Sequence, residues 1–191
     1  MRTFIAVELE KNILDTIGDF IFKTYREIDS NKISWVKKEN LHITLKFLGE
    51  INEKQVEVVK SVLDSVVKNI KEFKIIIEGI GVFPKIDFPR VLWLGIKDGA
   101  QKISELANFI DNELSNKGFA KEQKEFVAHL TIARIKQVRR LSEIVNYVEK
   151  YKNQHFGSSK VNSITFFQSI LKPEGPEYKP IVKIFLKHLT F

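Results

Sequence analysis

Two short phrases in this 191-residue sequence, Leu41-His42-Ile43-Thr44-Leu45 and Ala128-His129-Leu130-Thr131-Ile132, each set an imidazole and a hydroxyl two positions apart. The two histidines are 87 positions from one another. In an extended strand, residues two apart project from one face, so each phrase presents a histidine beside a threonine while its apolar alternates hold the strand down. Displacement at phosphorus needs an acid and a base on opposite sides of the phosphate, because the attacking and leaving oxygens lie roughly in line. Histidine, with an ordinary pKa of about 6.5, serves in either role near neutrality, and each proton transfer typically contributes about 10²–10⁴-fold in rate. Thr44 and Thr131 would donate hydrogen bonds to the non-bridging oxygens, where charge builds in the transition state. Two such strands facing one cleft would form a phosphodiester site that needs no metal.

The pairing carries more weight than either phrase alone. With 4 histidines and 7 threonines, random placement gives roughly 0.15 His-x-Thr phrases, yet three are present. The third, His188-Leu189-Thr190, lies at the very end of the sequence, where fraying is common, and is read as structural. A single strand histidine usually faces solvent; two in matching apolar frames are less easily explained that way. His155 sits in a loop-like stretch, Asn153–Lys160, and is expected on the surface with no role. Lys46 continues the parity of His42 and Thr44 and is a candidate phosphate contact, weighed against the commoner case of a solvated lysine. Rival chemistries lack support. The Gly79-x-Gly81 pair has no third glycine and no helix after it, and there is neither a Gly-x-Ser-x-Gly elbow nor a His-Glu-x-x-His zinc helix.

The elements that would position these residues follow from apolar periodicity. Met1–Glu8 and Leu41–Leu48 are predicted strands, residues 11–27 and 53–71 helices, and 73–80 an extended segment. A turn-rich patch from Gly79 through Pro84 to Pro89 is the predicted lobe boundary. Beyond it come a strand at Val91–Ile96, a helix at 100–115, a strand at Phe126–Arg134, a helix at 141–151, and strands at 161–171 and 181–191. That last pair would be joined through Pro173, Gly175, Pro176 and Pro180. Strand, helix, strand, helix, strand thus occurs twice. The order predicts an α+β fold of two pseudo-symmetric lobes, each a mostly antiparallel sheet with helices on its outer face, with a central cleft between them. Residues 1–191 would form a single two-lobed domain.

Composition narrows the partners. With 43% hydrophobic and 29% charged residues the chain can bury a sizeable core, and the absence of cysteine excludes disulfides, zinc-thiolate sites and thiol nucleophiles. A net charge of +7 favours polyanions such as nucleic acid, although lysines that alternate with glutamates, as from Lys54 to Glu57 and from Lys121 to Glu125, more often form solvated faces. The apolar run Phe4–Val7 is too short for a signal-peptide core and nothing later approaches a membrane span, so the expectation is a cytoplasmic monomer with no membrane partner.

The residues also carry a resemblance. Met1-Arg2-Thr3-Phe4-Ile5-Ala6-Val7, Asn40 through Gly49, Gly81-Val82-Phe83-Pro84, Arg90-Val91-Leu92-Trp93-Leu94-Gly95, Phe126 through Arg134 and Leu171 through Tyr178, in this order and spacing, resemble the 2H phosphoesterases. The resembled branch is that of the RNA 2′,3′-cyclic phosphodiesterases and 2′-5′ RNA ligases. The resemblance implies a water-filled cleft in which both His-x-Thr strands contact one phosphate, and a reaction that opens 2′,3′-cyclic phosphate ends of RNA, or cyclic nucleotides, to 2′-phosphates. It assigns the leaving-group acid to His42 and the water-activating base to His129, with no metal or cofactor. It matches Arg134 to an arginine near the phosphate, although strict alternation from His129 puts Arg134 on the opposite face, so a bulge would be needed. Tyr178 is expected in a turn, either reaching toward the base or packed as a loop aromatic. Ala128 stands where many members have proline. Two alternatives remain open: 2′-5′ RNA ligation at the same site, and a non-catalytic RNA-binding module whose histidines only contact phosphate.

Overall fold

The computed structural model describes residues 1–28, 33–68, 70–136 and 141–188. Its strands are β1 (Arg2–Glu8), β2 (Ile33–Trp35), β3 (His42–Glu50), β4 (Phe73–Phe83), β5 (Val91–Ile96), β6 (His129–Ile135), β7 (His155–Val161), β8 (Ser163–Lys172) and β9 (Gly175–Phe185). Its helices are α1 (Lys11–Thr24), α2 (Glu53–Val67), α3 (Ala100–Ser115) and α4 (Leu141–Tyr151). The strands form two sheets, ordered β3-β1-β8-β9 and β2-β6-β5-β4-β7, and every pairing between named strands is antiparallel. Helices α3 and α2 pack against β3 and β9 of the first sheet, while α1 and α4 pack against β7 and β4 of the second. This is the two-lobed α+β architecture that the sequence predicts.

Local signals explain where the elements lie. Helix α2 starts at a capping box in which the Asn52 side chain accepts from the Gln55 backbone and the Gln55 side chain accepts from the Asn52 backbone, a device worth about 1 kcal/mol. Its Val56, Val59, Leu63, Val66 and Val67 recur at helical spacing and are all buried. In β3 the alternates Ile43 and Leu45 are buried, each contributing about 1.5–3 kcal/mol of transfer free energy.

The lobes are not divided where the turn-rich stretch predicts. β4 and β5 are neighbours in one sheet, with Phe83 opposite Val91, so residues 84–90 are a hairpin loop rather than a boundary. The chain instead crosses between sheets more than once, and β8 returns to pair with β1, setting Phe167 opposite Phe4. Gly175, Pro176 and Pro180 lie inside β9 rather than in a connection. β9 is an edge strand, where a proline costs no ladder hydrogen bond if its missing N–H faces outward. His155 likewise lies in an edge strand, β7, not in a loop.

Candidate active site

β3 and β6, one from each sheet, approach within 8 Å and bring the two His-x-Thr phrases together. Their neighbours fix which side chains share a face. β1 is regular, and its Glu8, Ala6 and Phe4 stand opposite His42, Thr44 and Phe47. β5 is regular, and its Gly95, Trp93 and Val91 stand opposite His129, Thr131 and Arg134. Directly opposed residues in an antiparallel pair point the same way. His42, Thr44 and Phe47 therefore share one face, and so do His129, Thr131 and Arg134. The parity between threonine and the third residue is broken in both strands, because the register shifts between Thr44 and Lys46 and again between Thr131 and Ala133. An extra residue in one strand of a pair re-aims every side chain beyond it. The two bulges sit at corresponding positions of the two phrases.

The first bulge overturns the expectation for Lys46, which turns away from the histidine face and is only 7% exposed. Its ammonium donates to Asp111 of α3 and, at 2.9 Å, to the Ala120 carbonyl; Asp111 also accepts from the Glu122 backbone N–H at 3.1 Å. Lys46 thus ties β3 to α3 and to the segment leading toward β6, and it is no phosphate contact. The second bulge has the opposite consequence. It brings Arg134 onto the histidine face, where strict alternation would not have put it.

Both imidazoles are oriented in the same manner. His42 Nδ1 lies 2.7 Å from the Asn40 carbonyl and His129 Nδ1 lies 2.7 Å from the Val127 carbonyl. A carbonyl only accepts, so each Nδ1 carries the proton and donates. In the neutral ring this leaves Nε2 as a free acceptor. The surroundings of the rings differ. His42 stacks on Phe4 at 4.8 Å and meets the edge of Tyr178 at 5.2 Å, with Phe167 behind Phe4. His129 meets Phe83 edge-on at 4.9 Å and Trp93 at 6.3 Å. Gly81, opposite Trp93, has no room for a Cβ because the indole lies against its backbone. Tyr178 is on strand β9 rather than in a turn, packed as part of the wall around His42.

From residue 4 to residue 186 the chain matches the family described as the AKAP7 2′5′ RNA ligase-like domain. The chain belongs to this family. Among its relatives, the RNA 2′,3′-cyclic phosphodiesterase of Archaeoglobus fulgidus is 38% identical over 181 residues, covering 95% of this chain and 98% of the relative. The protein of the same name from Aquifex aeolicus is 37% identical over 191 residues, with 97% of each chain covered. Similar solved structures include TT0787 of Thermus thermophilus, with TM-score 0.79, 23% identity and coverage of 98% and 99%. Another is E. coli LigT complexed with 3′-AMP, with TM-score 0.76, 21% identity and 97% coverage of both chains. These structures establish a shared fold.

In this member of the 2′5′ RNA ligase-like family the charge of Arg134 acts on both histidines. Burial pushes His42 down to about 4, reinforced by the charges of Arg134 and His129, while the Asn40 carbonyl and Glu8 work in the other direction. Burial also lowers His129, helped by Arg134 and opposed by the Val127 carbonyl. Glu8 is a neighbour of the site that residue patterns do not reveal; apolar periodicity gives it only as the end of the predicted strand Met1–Glu8. Burial pushes its carboxyl up, but hydrogen bonds from Thr165 at 2.6 Å and from Lys183 at 2.9 Å outweigh this and hold it below the usual range. It faces His42 in register.

Two other histidines lie outside the site. His155 is exposed and pairs with Glu78 at 3.3 Å, and His188 pairs with Glu72 at 2.7 Å; Leu189 and Thr190 fall outside the described residues. Among the described residues, no cluster of three or more His, Asp or Glu side chains is arranged to hold a metal ion, and no helix is long and apolar enough to cross a membrane.

Proposed function

We propose that this protein, as a single two-lobed domain, opens the terminal 2′,3′-cyclic phosphate of RNA, or of a cyclic nucleotide, to a 2′-phosphate by acid–base catalysis between His42 and His129. The observation that carries the reading is the matched presentation of two imidazoles. Each has its Nδ1 engaged by the carbonyl two residues upstream, and each is close enough to Arg134 for its protonation to respond. The names of relatives at 37–38% identity across nearly the whole chain support the same substrate class.

The proton balance follows from those positions. His129, kept neutral near pH 7 by burial, takes a proton from water at Nε2 as the oxygen attacks phosphorus. The P–O3′ bond breaks on the opposite side, and His42 Nε2–H protonates the departing O3′, leaving the phosphate on O2′. On this reading Thr44 and Thr131, which share a face with the histidines, would donate hydrogen bonds to the non-bridging oxygens, Arg134 would offset their charge, and Tyr178, in contact with His42, would border the nucleoside. The acid role requires a protonated His42, which burial and Arg134 disfavour in the empty cleft. A phosphate anion between them offsets the arginine's charge and favours the imidazolium. Substrate binding therefore loads the acid.

Both proton transfers are supplied by side chains, so the reaction proceeds in EDTA. Incubating the protein with a 2′,3′-cyclic nucleotide in EDTA should yield the 2′-phosphate. Absence of product between about pH 5 and 9, or formation of the 3′-phosphate, would overturn the reading.

A further inference from the structure

The position directly across from each histidine differs between the two sheets. Across from His129 stands Gly95, and a Cβ there would meet the Glu78 carbonyl at 2.7 Å, so this position carries no side chain and has no room for one. Across from His42 stands Glu8. Opposed residues of an antiparallel pair project to one side with Cβ atoms roughly 4.5–5.5 Å apart, so this carboxylate shares the imidazole's face. Two further strands hold it. Thr165 of β8 stands opposite Ala6, and Lys183 of β9 stands opposite Thr165. The Thr165 hydroxyl, only 1% exposed as a residue, donates to Glu8 Oε2 at 2.6 Å, and the Lys183 ammonium lies 2.9 Å from the same oxygen.

Resting on the function proposed above, we infer that Glu8 is a positioning residue for the acid: its carboxylate, fixed beside His42 by Thr165 and Lys183, keeps the transferable proton on that imidazole rather than on His129. His42 Nδ1 is engaged by the Asn40 carbonyl and Nε2 must face O3′, so Glu8 acts on the charge of the ring through space. Burial disfavours the imidazolium most. Of the charged groups facing it, Arg134 and His129 of β6 oppose it further, Glu8 of β1 favours it, and Tyr178 of β9, whose phenol burial keeps neutral, adds no charge. Burial would push the Glu8 carboxyl up, but its bonds from Thr165 and Lys183 hold it below the usual range, so it stays an anion near neutrality and does not take the proton itself. A substrate phosphate favours the imidazolium only while it is bound. Glu8 is a resident anion, so His42 can regain a proton from solvent after the product leaves, as His129 returns its own.

The experiment follows the His42 ring by NMR titration, and turnover of 2′,3′-cyclic AMP, in the parent protein and in Glu8→Gln, Glu8→Asp and Lys183→Met. Glu8→Gln keeps the shape and an acceptor for Thr165 but loses the charge. It should weaken the proton affinity of His42 about tenfold and lower kcat about fivefold, with KM within about twofold. With a 4-nitrophenyl phosphodiester, whose leaving group needs no proton, kcat should stay within about twofold. Glu8→Asp, which restores the charge, should return the proton affinity of His42 to within about threefold of the parent. Lys183→Met breaks the same ion pair but spares the carboxylate, so it should not weaken that affinity. An unchanged His42 titration in Glu8→Gln, an equal loss of turnover with both substrates, or a weakened proton affinity in Lys183→Met would each overturn the inference; the last decides even if Glu8→Gln does not fold. If the parent opens no cyclic phosphate, the proposed function fails on its own, and the titrations still decide whether Glu8 holds the proton on His42.

Discussion

The His42 strand and the His129 strand have the same design up to their bulges and are embedded differently. His42 is walled by Phe4, Phe167 and Tyr178, drawn from three strands of the first sheet, and its pKa falls to about 4. His129 has two aromatic neighbours, Phe83 and Trp93. Beyond the bulges, the buried position is Lys46 in one strand and Ala133 in the other, and the cleft position is Phe47 in one and Arg134 in the other. The lesson is that one backbone device, an inserted residue, presents different chemistry according to which side chains follow it. The proton affinities of two identical imidazoles are set by the residues that surround them.

The comparison can be broken most severely at the histidines. His42→Ala and His129→Ala should each lower kcat by about 10²–10⁴-fold. The two should differ with a phosphodiester whose leaving group needs no proton, such as a 4-nitrophenyl ester, where only His129→Ala keeps its full effect. Equal losses with both substrates would erase the assigned division of labour. Lys46→Ala removes one partner of a buried ion pair and should cost about 3–5 kcal/mol, read as a lower unfolding midpoint in denaturant. Lys46→Met combined with Asp111→Leu should recover most of it. Arg134→Ala should reduce kcat/KM by about 10²-fold and, because its charge lowers both imidazoles, should move both histidine pKa values upward in an NMR titration.

A smaller effect concerns stability against pH. A histidine whose folded pKa is depressed contributes stability that is present above the unfolded value of about 6.5. That contribution is lost as pH falls through that value toward the folded one, here about 4 for His42. Thermal midpoints should therefore decline from pH 6.5 toward 4, and added phosphate should lessen the decline; His42→Asn should flatten the curve more than His129→Asn. His188→Ala, outside the cleft, should leave turnover unchanged.

Much of this was legible in the sequence, and the failures share a cause. The alternation around His42 and His129 identified both strands and the faces of Thr44 and Thr131, because buried Ile43, Leu45, Leu130 and Ile132 leave the register little choice. The bulges were not legible. Nothing in Leu45 or Ile132 distinguishes an inserted residue from a paired one, so plain alternation points Lys46 into the cleft and Arg134 away from it, the reverse of the observed register. Helix limits at 100–115 and 141–151 coincide with α3 and α4, since apolar stripes at helical spacing depend on local order alone. Strand neighbours depend on tertiary pairing, which is why local signals alone make a connection of the stretch from Pro173 to Pro180 and a lobe boundary of residues 79–89.

The return of β8 and β9 to the sheet begun by β1 and β3 gives the molecule a history as well as a shape. Phe4 must wait for Phe167, and His42 for Tyr178. Contacts so distant along the chain form late, after most of the loop-closure entropy has been spent. During synthesis, His42 therefore lacks the Phe167 and Tyr178 parts of its wall until the second half of the polypeptide has emerged. The property that sets His42 apart is among the last that the nascent protein acquires.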